Sequence, residues 1–403
     1  MPESIKKYLD GAIKNKYISD YKKILFTDDP GILIEVNTSE EKPEHHLDNK
    51  IIITQDGNEF KKIGSFRSFL LTLEKIKSEE KNDDYYYFYR GQANEEYDLT
   101  PSVFRKNKKH ESIIYREFTL ENSNDFSDSK SCFDNLVKMQ HYSLPTRLLD
   151  LTTNPLIALY FACEIKKKSD RTDCNNCGKC RKCKKEPNGE FFILKIKKDK
   201  VRYYDSDTIS CVSNIAKLSY EQQSLLQRDI AYFKTRLITN LYRDYYYDNI
   251  SKSEDNTSTS INVLCKNYIS YIKDSEMENT DPYDMKLLRD KLNADHYQLL
   301  HFIKNEKPYF LDKINPLSLS SPIIAKARKN NARMVSQSGL FLLFGLTDSL
   351  DKSYNGDFQV YSVKIQNKEK ILQELDNLNI NKSTIFPEME KSAEYIKDKF
   401  KDK

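Results

Sequence analysis

The chain has 403 residues, enough for two or three domains, and its 65 basic against 61 acidic residues leave a net charge of only +4. That balance favours solubility and argues against whole-surface, non-specific binding to nucleic acid. No apolar run reaches the roughly 18 residues of a membrane-spanning helix, and Met1-Pro2-Glu3-Ser4-Ile5-Lys6-Lys7 lacks a signal-peptide core, so a cytoplasmic protein without membrane contact is expected.

Residues 1–61 are set apart as an N-terminal extension of unassigned role. A helix is expected over Ile5–Asp20 and strand over Gly31–Val36 and Ile51–Thr54, separated by the acidic, polar Asn37–Asn49. Phe66, Phe69, Leu70, Leu73 and Ile76 then share one face of a helix over Ser65–Lys77. Tyr85-Tyr86-Tyr87-Phe88-Tyr89 forms a strand whose rings either fill a core or stack on bases, and Tyr245-Tyr246-Tyr247 reads the same two ways. Gly91 permits a sharp bend, so Arg90 and Gln92 would project from a strand end, a common place for ligand-contacting side chains. Helices follow over Ile113–Asn122 and from Asn135.

The stretch from Gln140 to Pro155 crowds polar and charged residues into a loop that ends at a helix start. Asn154 is a good N-cap, Pro155 suits the first helical position, and Leu156 to Cys163 continue as an apolar helix. Thr152, Thr153 and Asn154 would lie beside free backbone N–H groups, with Arg147 near, an arrangement suited to phosphate or carboxylate. The same residues also read as a capped core helix, with Arg147 and Asp150 paired to hold the loop.

Cys174, Cys177, Cys180 and Cys183 repeat at a spacing that matches a closed, structural zinc site. An iron–sulfur cluster fits less well, because the last gap is two residues and Lys184 follows it; unligated cysteines are the third reading. Lys179, Arg181, Lys182, Lys184 and Lys185 give this insertion a basic surface, either solvated or able to touch an acidic partner or nucleic acid. Cys132, Cys163, Cys211 and Cys265 stand among apolar residues and read as core. A strand is expected over Glu190–Ile196, mostly helix over 215–303 with a polar break at Ser251–Ser260, and strands over Leu340–Phe344 and near Phe358–Ile365. No internal repeat is evident. Together these predict an α+β fold, a mixed sheet core flanked by helices, carrying a zinc-binding insertion over 170–188 and a helical insertion over about 220–300.

Four motifs in order resemble the FRG domain. They are Tyr89-Arg90-Gly91-Gln92; Met139-Gln140-His141-Tyr142 with Leu144-Pro145-Thr146-Arg147-Leu148-Leu149-Asp150; Asn154-Pro155 with Ala158-Leu159-Tyr160-Phe161-Ala162; and Arg333 with Gln337-Ser338-Gly339-Leu340-Phe341. The name-giving Phe-Arg-Gly is present as Tyr89-Arg90-Gly91. Ile385-Phe386-Pro387-Glu388 with Ala393-Glu394-Tyr395-Ile396 is similar to the end of such proteins, so the resemblance runs over about residues 62–400.

The motif order is also similar to that of ADP-ribosyltransferases. That resemblance implies binding of NAD or a related nucleotide and transfer or hydrolysis of its ADP-ribose, in a toxin or phage-defence effector, with a protein or nucleic acid as acceptor. It makes Arg90, His141 and Gln337 the catalytic set and Gln92, Gln140, Thr146, Arg147, Asp150, Thr152, Thr153, Asn154 and Arg333 the ligand-binding set. Arg90 would hold a phosphate or ribose, and Thr152 and Thr153 would shape the nicotinamide pocket. Gln337 would stand where those enzymes carry a glutamate that stabilises an oxocarbenium-like centre, a task a neutral amide performs only in part. Glu117 would supply a charge or be a solvated helical residue, and His141 would be a general base or a structural hydrogen bonder. The alternatives are a non-catalytic module that senses a ligand or phage protein and, third, a nucleic-acid-binding protein.

Overall fold

The computed structural model describes residues 63–78, 84–127, 129–165, 186–231, 297–311, 314–315, 317–352, 354 and 357–400, with the backbone of four short strands before residue 63. The chain divides into two compact units. The first comprises residues 1–49, 224–297 and 315–321. Its described part includes an antiparallel hairpin of β1 (Tyr21–Phe26) and β2 (Ile32–Val36). The helix expected over Ile5–Asp20, the cysteine cluster, Cys265 and residues 232–296 of the helical stretch lie outside the described residues.

The second unit comprises residues 50–223, 298–314 and 322–403. After a small ladder of β3 (Ile52–Ile53) with β4 (Glu59–Phe60), it is built on one mixed sheet of seven strands. These are β5 (Tyr85–Gln92), β6 (Leu148–Thr152), β7 (Gly189–Lys197), β8 (Arg202–Tyr203), β9 (Ile323–Lys326), β10 (Gly339–Leu343) and β11 (Phe358–Ile365). Their order is β11-β7-β5-β6-β10-β9-β8, antiparallel throughout except for the parallel pair β8 and β9. The helices used below are α1 (Phe66–Ser78), α2 (Ser102–Lys106), α3 (Glu111–Glu121), α4 (Cys132–His141), α5 (Pro155–Ala162), α6 (Asp207–Ser213), α7 (Tyr297–Glu306), α8 (Ala332–Ser336), α9 (Lys368–Asn377), α10 (Lys382–Ile385) and α11 (Met389–Lys399). The chain is therefore α+β. Among the described residues no helix is long and apolar enough to cross a membrane.

Side chains alternate along a strand, so the sheet feeds two separate cores. Phe88, Leu149, Leu151, Phe192, Leu194, Leu340 and Leu342 build one. Tyr89, Phe191, Ile193, Val363 and Ile365 build the other, against Ala158, Leu159 and Ala162 of α5, Phe69 of α1 and Ile371 of α9. The sheet curls around the first core: Lys326 on β9 lies 4.3 Å over the Tyr86 ring on β5, although β6 and β10 stand between those strands in the ladder. Cys132, Cys163 and Cys211 are buried free thiols, and burial pushes all three up to about 12.

Three expectations are corrected. The segment read as a loop after Gln140 contains β6, a strand enclosed between β5 and β10 with Leu148, Leu149 and Leu151 buried. Gly91 makes no bend: it stays in β5 opposite Phe191, and its missing side chain lets α5 close in. A Cβ there would lie 1.8 Å from the Ala158 carbonyl oxygen and 2.4 Å from the Ala162 nitrogen. α4 begins at Cys132 rather than Asn135, because the Ser131 hydroxyl caps it by accepting from the Asp134 N–H.

Candidate functional site

β5 and β6 share a single ladder pair, Tyr89 with Thr152, and then part. Arg90 occupies the gap, its Nη1 donating to the Asp150 carbonyl at 2.7 Å. The guanidinium thus replaces the ladder bond that a continuing strand would have made. Its Nε is buried without a partner. Burial lowers the Arg90 pKa, while the Asp150 charge opposes that shift and Arg105 adds to it. Gln92, on the same face two residues on, is 5% exposed, and its Oε1 is also buried without a partner. The exposed carboxylate of Asp150 accepts from Gln140 Nε2 at 3.0 Å, and Gln140 Oε1 accepts from the Thr146 hydroxyl at 2.6 Å. Arg90, Asp150, Gln140 and Thr146 are in this way joined in one chain of hydrogen bonds.

Arg147 is separate from that chain and fully buried. A guanidinium has five N–H groups, and all are spoken for. Nε and Nη2 form a fork on the Glu111 carboxylate of α3, Nη1 donates to the carbonyls of Phe344 and Gly345 at 3.2 and 2.8 Å, and Nη2 also reaches Gln223 Oε1 at 3.3 Å. The expected partner, Asp150, lies on the other system. Arg147 ties the start of β6 to α3 and to the end of β10, which leaves no donor for a ligand.

The helix start is also committed internally. The Asn154 carboxamide caps α5 by accepting from the Leu156 N–H at 2.9 Å, the Asn154 N–H goes to the Thr152 hydroxyl at 3.0 Å, and the Thr153 N–H goes to the Ser338 carbonyl at 3.2 Å. Thr152 in turn donates to the Gln337 carbonyl at 2.7 Å. The free N–H groups expected there are therefore used by the protein, and only the Thr153 side chain faces outward.

A second group gathers where α4 ends. Arg333 of α8 donates to the His141 carbonyl at 3.4 Å, lies 3.8 Å from the Glu388 carboxylate, and stacks 4.8 Å from the Phe386 ring. Gln337 Nε2 donates to the Ile385 carbonyl at 3.3 Å, and Ser336 donates to the same oxygen at 2.9 Å. Residues 385–388 are thereby held beside 333–337. One Glu388 oxygen is buried without a partner. Burial holds the His141 pKa below its usual 6.5, Arg333 reinforces the shift and Glu388 opposes it.

His141, Arg333 and Gln337 come together, and β6 links them to Arg90, Gln140 and Asp150 through Thr152. Glu117 is exposed on α3. Glu388 was missed as a site residue; its only sequence signal was its place in the tail motif, 247 positions beyond His141 (388 minus 141). Among the described residues no group of three or more His, Cys, Asp or Glu side chains is placed to hold a metal.

These elements define an α+β domain whose motif residues either lock the sheet or line a polar surface beside β6. The FRG domain model matches residues 85–171, from β5 past α5, and the chain is an FRG-domain protein. Arg333, Gln337 and Glu388 lie beyond the matched span. No curated protein and no solved structure matches the chain.

Proposed function

We propose that this FRG-domain protein binds NAD or a related nucleotide on the polar surface between β6, the end of α4 and α8, and acts as an ADP-ribosyltransferase-like enzyme in toxicity or phage defence. The observation that supports it is the trio His141, Arg333 and Glu388 beside Gln337, which brings a carboxylate to the region where the amide alone falls short. In this reading Arg333 and the unbonded Nε of Arg90 meet the pyrophosphate. Glu388 stabilises positive charge developing on the ribose as nicotinamide leaves. His141, held neutral by burial, accepts the proton of the attacking water or acceptor. Cys174, Cys177, Cys180 and Cys183 would hold a structural zinc that takes no part in the reaction.

The test is nicotinamide release from NAD by the purified full chain, with mass spectrometry of candidate protein and nucleic-acid acceptors. Glu388→Gln should lower turnover about 100-fold or more, as expected for a group that stabilises transition-state charge, with an unchanged melting temperature. No release of nicotinamide and no modified acceptor would sink the proposal. The Gln337 amide, already bonded to the Ile385 carbonyl, favours a second reading as a non-catalytic sensing module. Absence of toxicity on expression of every form, wild type included, supports that reading.

A further inference from the structure

We infer that the pocket at the ends of β6, β9 and β10 is a binding site for a single nucleoside phosphate. It is about 420 Å³ in volume and lined by Thr153, Tyr203, Tyr204, Lys326, Ala327, Lys329 and the segment 338–340. That volume lies within the roughly 300–1,000 Å³ of small-molecule sites and suits one nucleotide better than a strand.

The lining holds two phenol rings, two ammonium groups and no carboxylate. Among the described residues neither Lys326 nor Lys329 forms a salt bridge, whereas the neighbouring Arg328 is bound to Asp134 at 2.6 Å. Lys326 is fixed in place by two rings, with its ammonium 4.3 Å from the Tyr86 centroid and 5.2 Å from that of Tyr203. The Tyr204 N–H bonds the Lys326 carbonyl at 2.9 Å, and Arg328 lies 4.7 Å over the Tyr204 ring. Tyr203 is 56% exposed, so ring surface remains available for stacking beside its contact with Lys326. An exposed aromatic ring accepts a nucleobase, and lysine ammonium groups accept a phosphate. Ser338, also in the lining, adopts φ 47°, a conformation that L side chains rarely hold; it precedes Gly339, whose bare backbone permits close approach.

Of the pocket's lining only Thr153 falls in the family-matched span, and it is the one lining residue shared with the ligand-binding set named above. Calorimetric titration of the full chain with AMP, adenosine and inorganic phosphate tests it. AMP should bind at least tenfold more tightly than adenosine or phosphate alone, a gap of about 1.4 kcal/mol. Tyr203→Ala and Lys329→Ala, both at exposed side chains, should each weaken AMP about tenfold without shifting the melting temperature. No heat at millimolar AMP overturns the inference, as do unchanged affinities in both variants or binding confined to single-stranded oligonucleotides. AMP binding in a protein that leaves NAD intact sustains this site alone, and NAD turnover without AMP binding removes this site alone.

Discussion

Replacing Arg147 should test whether the most conspicuous arginine of the motif loop serves the fold. Its side chain is 0% exposed and that of Glu111 is 3% exposed. Arg147→Met would leave the Glu111 carboxylate with only the Gln223 amide, at 3.2 Å, and would strip donors from the Phe344 and Gly345 carbonyls. Breaking a buried pair by removing one partner costs about 3–5 kcal/mol. Glu111→Leu should cost a similar amount, because the guanidinium then lacks its counter-charge. The double variant buries no lone charge and retains only the unsatisfied carbonyls and Gln223, about 1–3 kcal/mol. The two substitutions should therefore couple by at least about 2 kcal/mol in a double-mutant cycle read by urea unfolding. Additivity within about 0.5 kcal/mol would refute the account. Each single change removes a large part of the roughly 5–15 kcal/mol that stabilises a domain.

Gly91→Ala should destabilise by at least about 3 kcal/mol, since the new methyl group would overlap the Ala158 carbonyl and α5 would have to retreat. A loss below about 1 kcal/mol in the same unfolding assay would show that the helix yields easily. His141 should make stability pH-dependent. Its folded pKa lies below 6.5, so below pH 6.5 the unfolded chain binds more protons than the folded one. The stability this group contributes is thus present above pH 6.5 and lost as pH falls toward the folded value. His141→Gln should flatten the rise in unfolding free energy between about pH 5 and 7, and parallel curves for wild type and variant would contradict it.

Elements specified by local chemistry were legible in the sequence. Asn154-Pro155 fixed the start of α5, since a cap and a missing N–H act within three residues. The tyrosine run marked β5, and the spacing of Phe66, Phe69 and Leu73 marked α1. β6 was read as loop because Leu148, Leu149 and Leu151 are buried on both faces of the sheet, so no alternation announces a strand. The rest depended on distant partners. Arg147 finds Glu111 36 residues upstream, Arg90 finds a backbone carbonyl 60 residues downstream, and Glu388 meets Arg333 across two strands and two helices, β10, β11, α9 and α10. Spacing carries no record of such pairs. The Thr153 and Asn154 N–H groups looked free for the same reason: their acceptors include a carbonyl at Ser338 that local sequence does not reveal.

The single pair that joins β5 to β6 divides the sheet into three strands on one side and four on the other. In-plane bonding across that line amounts to one ladder pair and one guanidinium–carbonyl bond, against eight register pairs between β5 and β7. Arg90 is thus a rivet on the weakest seam of the sheet. Without that side chain the two half-sheets would be joined in-plane by the Tyr89–Thr152 pair alone.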